Sequence, residues 1–381
     1  MSAITARIFN AGTARVVALY AASFAVAIFL SGLLVQVTGG SPLDVIRALY
    51  EGSLGSPQDI GLTIDESVPV LIVALGVIIT SRAGIVNIGP EGQLLIGGLC
   101  GAAVSLRLAV PGVAMVPATL LAAAAGGAAW AGIAALLRYW RNVDVVISTL
   151  LLNFLAIQLV SFAVNRPYLL QEKLTGGGTA SPTSDPIPSD ARLPLLGQTG
   201  TMTFTSGTII AVVALVVVGL MVTRSRWGFK LRMLGLNAEA ARRAGVRAAA
   251  LGTGALLLSG AFAGLAGGVV LSDRAFRIQT GFSNNMGFNG LLVALIARRN
   301  PWATVPVAIL FGILRAGGGF VATTGVPRYV VDVMQALIVL AALFPPLVDK
   351  VNERRRAMRI ARDEAAATAA SSATPTLEVA R

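Results

Sequence analysis

Long apolar runs alternate with short polar segments along almost the whole chain. The runs fall at about 16–37, 67–81, 93–110, 112–137, 144–164, 206–223, 249–272, 287–297, 302–321 and 327–346. A helix needs about 20 apolar residues to cross about 30 Å of hydrocarbon, and several runs approach that length. The pattern predicts an all-α integral membrane protein of about ten transmembrane helices. Two runs, 67–81 and 287–297, are short and lie beside Gly- and Asn-rich stretches. Broken or partly unwound helices are expected there. The first run follows Arg7 and Arg15, as a signal peptide's would. It is long for one and no small-x-small cleavage site follows, so a retained helix is expected.

Composition agrees. Of 381 residues 55% are hydrophobic and 13% charged, about half the charge of a soluble domain. The 42 glycines suit membrane helices whose backbones approach closely. The net charge of +12 would suit nucleic acid, but the basic residues sit in short loops between apolar runs, and the positive-inside rule explains them without it. With the N-terminus inside, the inner loops carry Arg82, Arg138, Arg141, the basic run 224–247, and Arg298 with Arg299. Both termini are then cytoplasmic. Cys100 has no partner for a disulfide, and the absence of histidine excludes His-dependent triads and most zinc sites. No metal, cofactor or catalytic residue is expected.

The expected organisation is one polytopic transmembrane domain over 1–363, in halves of about 16–164 and 206–346. Residues 165–205 form an extracytoplasmic loop and 364–381 a disordered cytoplasmic tail. Residues 38–66 read as a short amphipathic piece, Pro42 to Tyr50, followed by a polar turn.

An internal repeat relates the halves. Asn87, Gly89, Gly92 and Leu94 match Asn285, Gly287, Gly290 and Leu292 without a gap, and Glu91 pairs with Asn289. The first copy precedes an outward helix and the second an inward one, so the halves are expected to be inverted five-helix copies. The glycines and Pro90 break the helix pattern at membrane depth, where exposed backbone is tolerated only inside protein or against a watery cavity. Asn87, Glu91 and Gln93, with Asn285 and Asn289, then offer donors and acceptors to a polar solute. The stretch 82–93 read alone fits a cytoplasmic hairpin equally well; its recurrence in the second half favours the solute path.

Between 231 and 246, Asn237 is an N-cap, Glu239 and Ala240 open a helix, Arg242 and Arg243 near its end, and Gly245 a C-cap. So short a helix is marginal in water unless it docks on a partner. A loop that only fixes topology is the alternative. Arg315 and Asp332 fall inside apolar runs, where charge is expensive and pairs or faces water. An ion pair between them is expected, either structural or in the solute path.

At these segments the chain resembles the permease subunits of bacterial ABC importers in the branched-chain amino acid, ribose and nucleoside group. The stretch Arg82 to Gln93 is similar to that family's Asn-x-Gly-x-Glu-Gly-Gln signature, and Leu234 to Val246, with Gly235, to the loop that engages the ATPase. Stretches 287–301, 311–317 and 331–338 also resemble the family, whereas Pro90 and Ile-Ala-Arg-Arg (296–299) depart from its pattern. The resemblance runs from about Gly61 to Phe344 and is nearest the nucleoside and simple-sugar branch. It implies a bacterial inner-membrane protein that works with an ATP-binding cassette ATPase, a second permease subunit and an extracytoplasmic solute-binding protein. No phosphate-binding Gly-x-x-x-x-Gly-Lys-Ser/Thr loop is present, so ATP hydrolysis would come from the partner. An ion-gradient-driven secondary transporter and an importer of branched-chain amino acids are the alternatives.

Overall fold

A computed structural model describes residues 11–108, 111–173, 181–196, 204–327, 329–345, 348 and 358. The expected tail 364–381 lies outside the described residues. Two compact units are separable: 1–39 with 332–381, and 40–331.

In the first unit, helix α1 (Ala11–Val37) lies along the later part of the last helix, α13 (Tyr329–Pro345). Leu19, Ala22, Val26 and Leu30 share an apolar groove with Leu337, Leu340 and Phe344.

The second unit holds the remaining helices: α2 (Pro42–Leu54), α3 (Pro57–Arg82), α4 (Pro90–Arg107), α5 (Gly112–Arg141), α6 (Val145–Val164), α7 (Gly207–Arg224), α8 (Arg226–Leu236), α9 (Ala238–Arg243), α10 (Ala248–Val270), α11 (Met286–Ile296) and α12 (Thr304–Val321). Among the described residues seven helices, α1, α3, α5, α6, α7, α10 and α12, are long and apolar enough to cross a membrane. Helices α11 and α13 are apolar but shorter. Outward faces of α6 and α7 carry Ile147, Leu151, Phe154, Val213 and Leu220 exposed, as lipid-facing surfaces do.

The core is α4, α5 and α10, packed through small residues. A Cβ on Gly264 would strike the Ala123 carbonyl and the Gly127 backbone, and one on Gly97 would strike Gly264. Lipid offers little hydrophobic drive for helix association, so such close backbone contact supplies the packing instead.

Of the two runs expected to be short, one is corrected here. The run 67–81 is not a short broken helix: α3 is continuous from Pro57, with Ser56 as its N-cap. The charges Asp59, Asp65 and Glu66 lower hydropathy over its first turns, which therefore read as a polar turn. Pro69 lies inside α3 and cannot donate to the Asp65 carbonyl one turn back; the Arg274 guanidinium takes that carbonyl instead. The run 287–297 is indeed short, as the 11-residue α11.

The segment after α6 is tied to the end of α10. The Ile187 amide donates to the Phe276 carbonyl (2.7 Å) and the Leu193 amide to that of Ser272 (2.8 Å). Ile187, Ala191 and Leu193 are buried. A small hairpin, β1 (Leu195–Leu196) with β2 (Phe204–Thr205), leads into α7.

Candidate functional site

The two repeated motifs open α4 and α11, and they meet. Asn87 is buried in the segment before α4. Its Oδ1 accepts from the Gly89 amide (2.9 Å) and Gln93 Nε2 (3.3 Å), while its Nδ2 donates to Gln93 Oε1 (3.2 Å) and Ser259 Oγ on α10 (3.1 Å). The start of α4 has no cap from its own segment, because Gly89 stands at the N-cap. Helix α6 supplies one: Asn153 Oδ1 accepts from the Gly92 amide and Asn153 Nδ2 donates to the Ile88 carbonyl, both at 2.8 Å. Thr149 Oγ1 accepts from the Ile88 amide (3.2 Å). The Gly92 donor at the helix N-terminus is thus satisfied from a neighbouring helix, as burial requires.

Glu91 crosses to the other motif. Its carboxylate accepts from the Gly287 amide (2.8 Å), the Phe288 amide (3.4 Å) and the Ser283 hydroxyl. Asn285, the N-cap of α11, is in the left-handed conformation (φ 61°) and does not cap with its side chain. Glu91 is the cap, and a negative charge at a helix N-terminus is favourable. Contact is close: a Cβ on Gly287 would overlap the Glu91 backbone. Asn289 is buried one turn further along α11, whereas Asn285 is exposed. Sequence pairing aligned Glu91 with Asn289; in space Glu91 reaches Gly287.

Beside this joint lies a cavity of about 600 Å³, lined by Ser81, Gly84–Ile88 with Asn87 among them, and Leu291, Leu295, Arg298 and Arg299 of α11 and its end. Asn87 is thus the one of the five polar candidates that lines it. Glu91, Gln93 and Asn289 belong to the frame.

Arg315 has an acidic partner within its own unit. Arg315 Nε pairs with Glu66 Oε2 at 2.8 Å, its Nη1 donates to the Asn284 carbonyl (3.0 Å), and Asp332 is exposed on α13. Arg274 also pairs with Glu66 and lies 3.5 Å from Asp273. Asp65 Oδ1 accepts from the Thr205 amide (3.0 Å) and hydroxyl (3.1 Å). Sequence reading missed this cluster because it placed Asp65 and Glu66 in a loop. The signal was there: acids one turn before Pro69, with Arg274 and Arg315 in apolar surroundings.

The segment 231–246 folds as expected around Asn237. Asn237 Oδ1 accepts from the Glu239 and Ala240 amides, both at 3.0 Å. Glu239 pairs at the surface with Arg243 (3.4 Å) and Arg242 (3.7 Å), and Gly245 follows with φ 80°. Next to it a cleft of about 870 Å³ is lined by Gly84, Arg138, Trp140, Gly235, Ala238, Arg242 and Arg247.

Residues 63–343 match the model of the family described as branched-chain amino acid transport system / permease component. A glucose ABC transporter permease protein of Haloferax volcanii is 31% identical, over 82% of this chain and 83% of its own. A guanosine ABC transporter permease protein of Bacillus subtilis is 31% identical over 81% and 87%. A second guanosine permease protein of that organism is 26% identical over 67% and 79%. No solved structure matches. On the extent of the family match and of these similarities, the chain belongs to the permease component family of branched-chain amino acid-type ABC transport systems.

Proposed function

We propose that this chain is the solute-conducting subunit of an ATP-driven importer that carries a nucleoside or a simple sugar across the cytoplasmic membrane. The observation that carries the reading is the joint at Glu91, where two repeated half-helix motifs meet beside a cavity of about 600 Å³. Small-molecule sites fall at about 300–1,000 Å³. The relatives' named solutes, glucose and guanosine, favour this class over branched-chain amino acids. In the same reading the chain crosses the membrane ten times in two inverted halves, with both termini cytoplasmic.

In this reading Asn87, Glu91, Gln93, Asn285 and Asn289 border the path. Asn87 lies at the cavity wall with its amide held by Gly89, Gln93 and Ser259, and the others hold the frame. Gly235, Asn237, Glu239, Ala240 and Gly245 form the docking segment for the ATPase, whose closure rocks the helix bundles between two states. The paired guanosine permeases of Bacillus subtilis favour a second permease chain as partner. A solute-binding protein outside supplies affinity, so the path itself is weak and releases its cargo readily.

The test is uptake in liposomes holding the full complex. ATP-dependent entry of labelled guanosine or glucose, with leucine excluded, is expected. Robust guanosine uptake by this chain alone on an ion gradient would refute the importer reading and favour a secondary transporter. Single cysteines at 87, 91, 285 and 289 in a Cys100→Ser background test the path separately. If no position reacts with a membrane-impermeant thiol reagent in any nucleotide state while uptake persists, the assigned path is wrong.

A further inference from the structure

One contact joins the docking segment to both walls of the cavity. Gly235 closes α8, and a Cβ there would strike the Arg82 carbonyl and lie 2.9 Å from the Gly84 amide nitrogen. A Cβ on Gly84, itself in the left-handed region at φ 74°, would lie 3.0 Å from Gly235 Cα. Main chain thus rests on main chain, with no side chain between to absorb a displacement. Close-packed protein transmits such a displacement rather than damping it.

From this contact the structure runs two ways. Forward, Gly84 leads through Ile85 and Asn87 into the start of α4, and these residues form one wall of the cavity. Sideways, the Arg82 guanidinium donates to the Arg299 carbonyl through both Nε (3.1 Å) and Nη2 (2.9 Å). Arg299 follows α11, which with Arg298 and Arg299 forms the opposite wall. Arg298 and Arg299 are both left-handed, at φ 50° and 64°. Consecutive non-glycine residues hold that conformation only where surroundings impose it, and the Arg82 fork is one such restraint. A lysine has no second donor at that geometry.

We infer that Arg82 is a positioning residue for transport: it ties the end of α11 to the Gly84–Gly89 segment, so that a push from the ATPase-docking helices on its main chain moves both walls of the cavity together. This rests on the importer reading above. Arg82 touches no solute in this role. Its removal should uncouple the walls from the docking segment without stopping ATP turnover.

The experiment uses the full complex in lipid nanodiscs, with Leu295→Cys as reporter in a Cys100→Ser background. Leu295 lines the cavity and is 48% exposed. The rate of labelling by a charged maleimide is compared in the nucleotide-free and ATP–vanadate-trapped states. The parent rate should change on the order of tenfold between states, within the usual range of coupling between sites. In Arg82→Gln the two rates should converge to within about twofold, and in Arg82→Lys they should fall between. ATP hydrolysis in both variants should stay near the parent's. Should Arg82→Gln fail to assemble, Gly235→Ala, which wedges the same contact, should also make the rates converge. A parent-like change of rate in an assembled Arg82→Gln or Gly235→Ala complex overturns the inference and leaves the importer reading intact. Loss of hydrolysis and uptake in proportion would show a merely structural role and overturn it too. A parent whose rate does not respond to nucleotide at all would overturn the importer reading beneath it.

Discussion

Replacing Glu91 separates the geometry of its carboxylate from its charge. In Glu91→Ala the Gly287 and Phe288 amides and the Ser283 hydroxyl lose their acceptor. Gly287 is buried, and a stranded buried donor costs about 1–3 kcal/mol. Loss of the charge at the start of α11 adds about 0.3–1 kcal/mol, and up to about 2 in partly buried sites. Side-chain hydrogen bonds within membranes average only about 0.6 kcal/mol, so three of them set a lower figure near 2. Together the expected loss is about 2–4 kcal/mol. Glu91→Gln keeps an oxygen facing Gly287 and turns its amide to the Ser283 hydroxyl, which can rotate to accept. It loses the charge alone, at about 0.3–1 kcal/mol. Denaturation of the purified protein in mixed micelles, followed by intrinsic tryptophan fluorescence, gives the order. Parent, then Gln, then Ala is expected, with the larger gap between Gln and Ala. Equal stability of Glu91→Ala and Glu91→Gln would refute the reasoning, because Glu91 would then not be the cap of α11.

Asn237→Ala removes the N-cap of α9 and should cost about 1 kcal/mol locally; less ATPase should copurify with it, and unchanged copurification and uptake would mark the segment as a topological anchor. Gly264→Leu drives a side chain into the Ala123 carbonyl and Gly127, where overpacking costs about 1–3 kcal/mol or more; lower thermal stability in size-exclusion profiles is the check. Glu66→Gln takes the shared anion from Arg274 and Arg315. Breaking a fully buried pair costs about 3–5 kcal/mol and this partly buried one less, so its yield and stability should still fall below those of Asp59→Asn at the start of α3.

Asn237 shows what is legible along the chain. Its cap, the charges of α9 and the positive φ of Gly245 depend on neighbours within a few residues, and each was readable in order. The apolar runs were equally readable, since hydropathy over about 20 residues needs no partner. The repeated motif was visible as a pattern of Asn and Gly. Other features were not readable. Ser56, Pro57 and Asp59 cap the start of α3 locally, but that the helix carries Asp65 and Glu66 within it depends on Arg274 and Arg315 coming from more than 200 residues away to meet them. Glu66 was missed as a partner of Arg315 for the same reason: helix spacing does not reveal which of several carboxylates a distant guanidinium reaches. Asn153 and Ser259 carry no signal along the sequence; they gain their role only where α6 and α10 pack against the start of α4. The sequence by itself determined which segments are apolar enough to cross a membrane and where helices are capped from within, because those are short-range matters of hydropathy and backbone geometry. Tertiary structure alone decided which buried donors and charges meet, because in a low-dielectric interior each must find a partner and the fold, not the spacing, brings that partner within 3 Å.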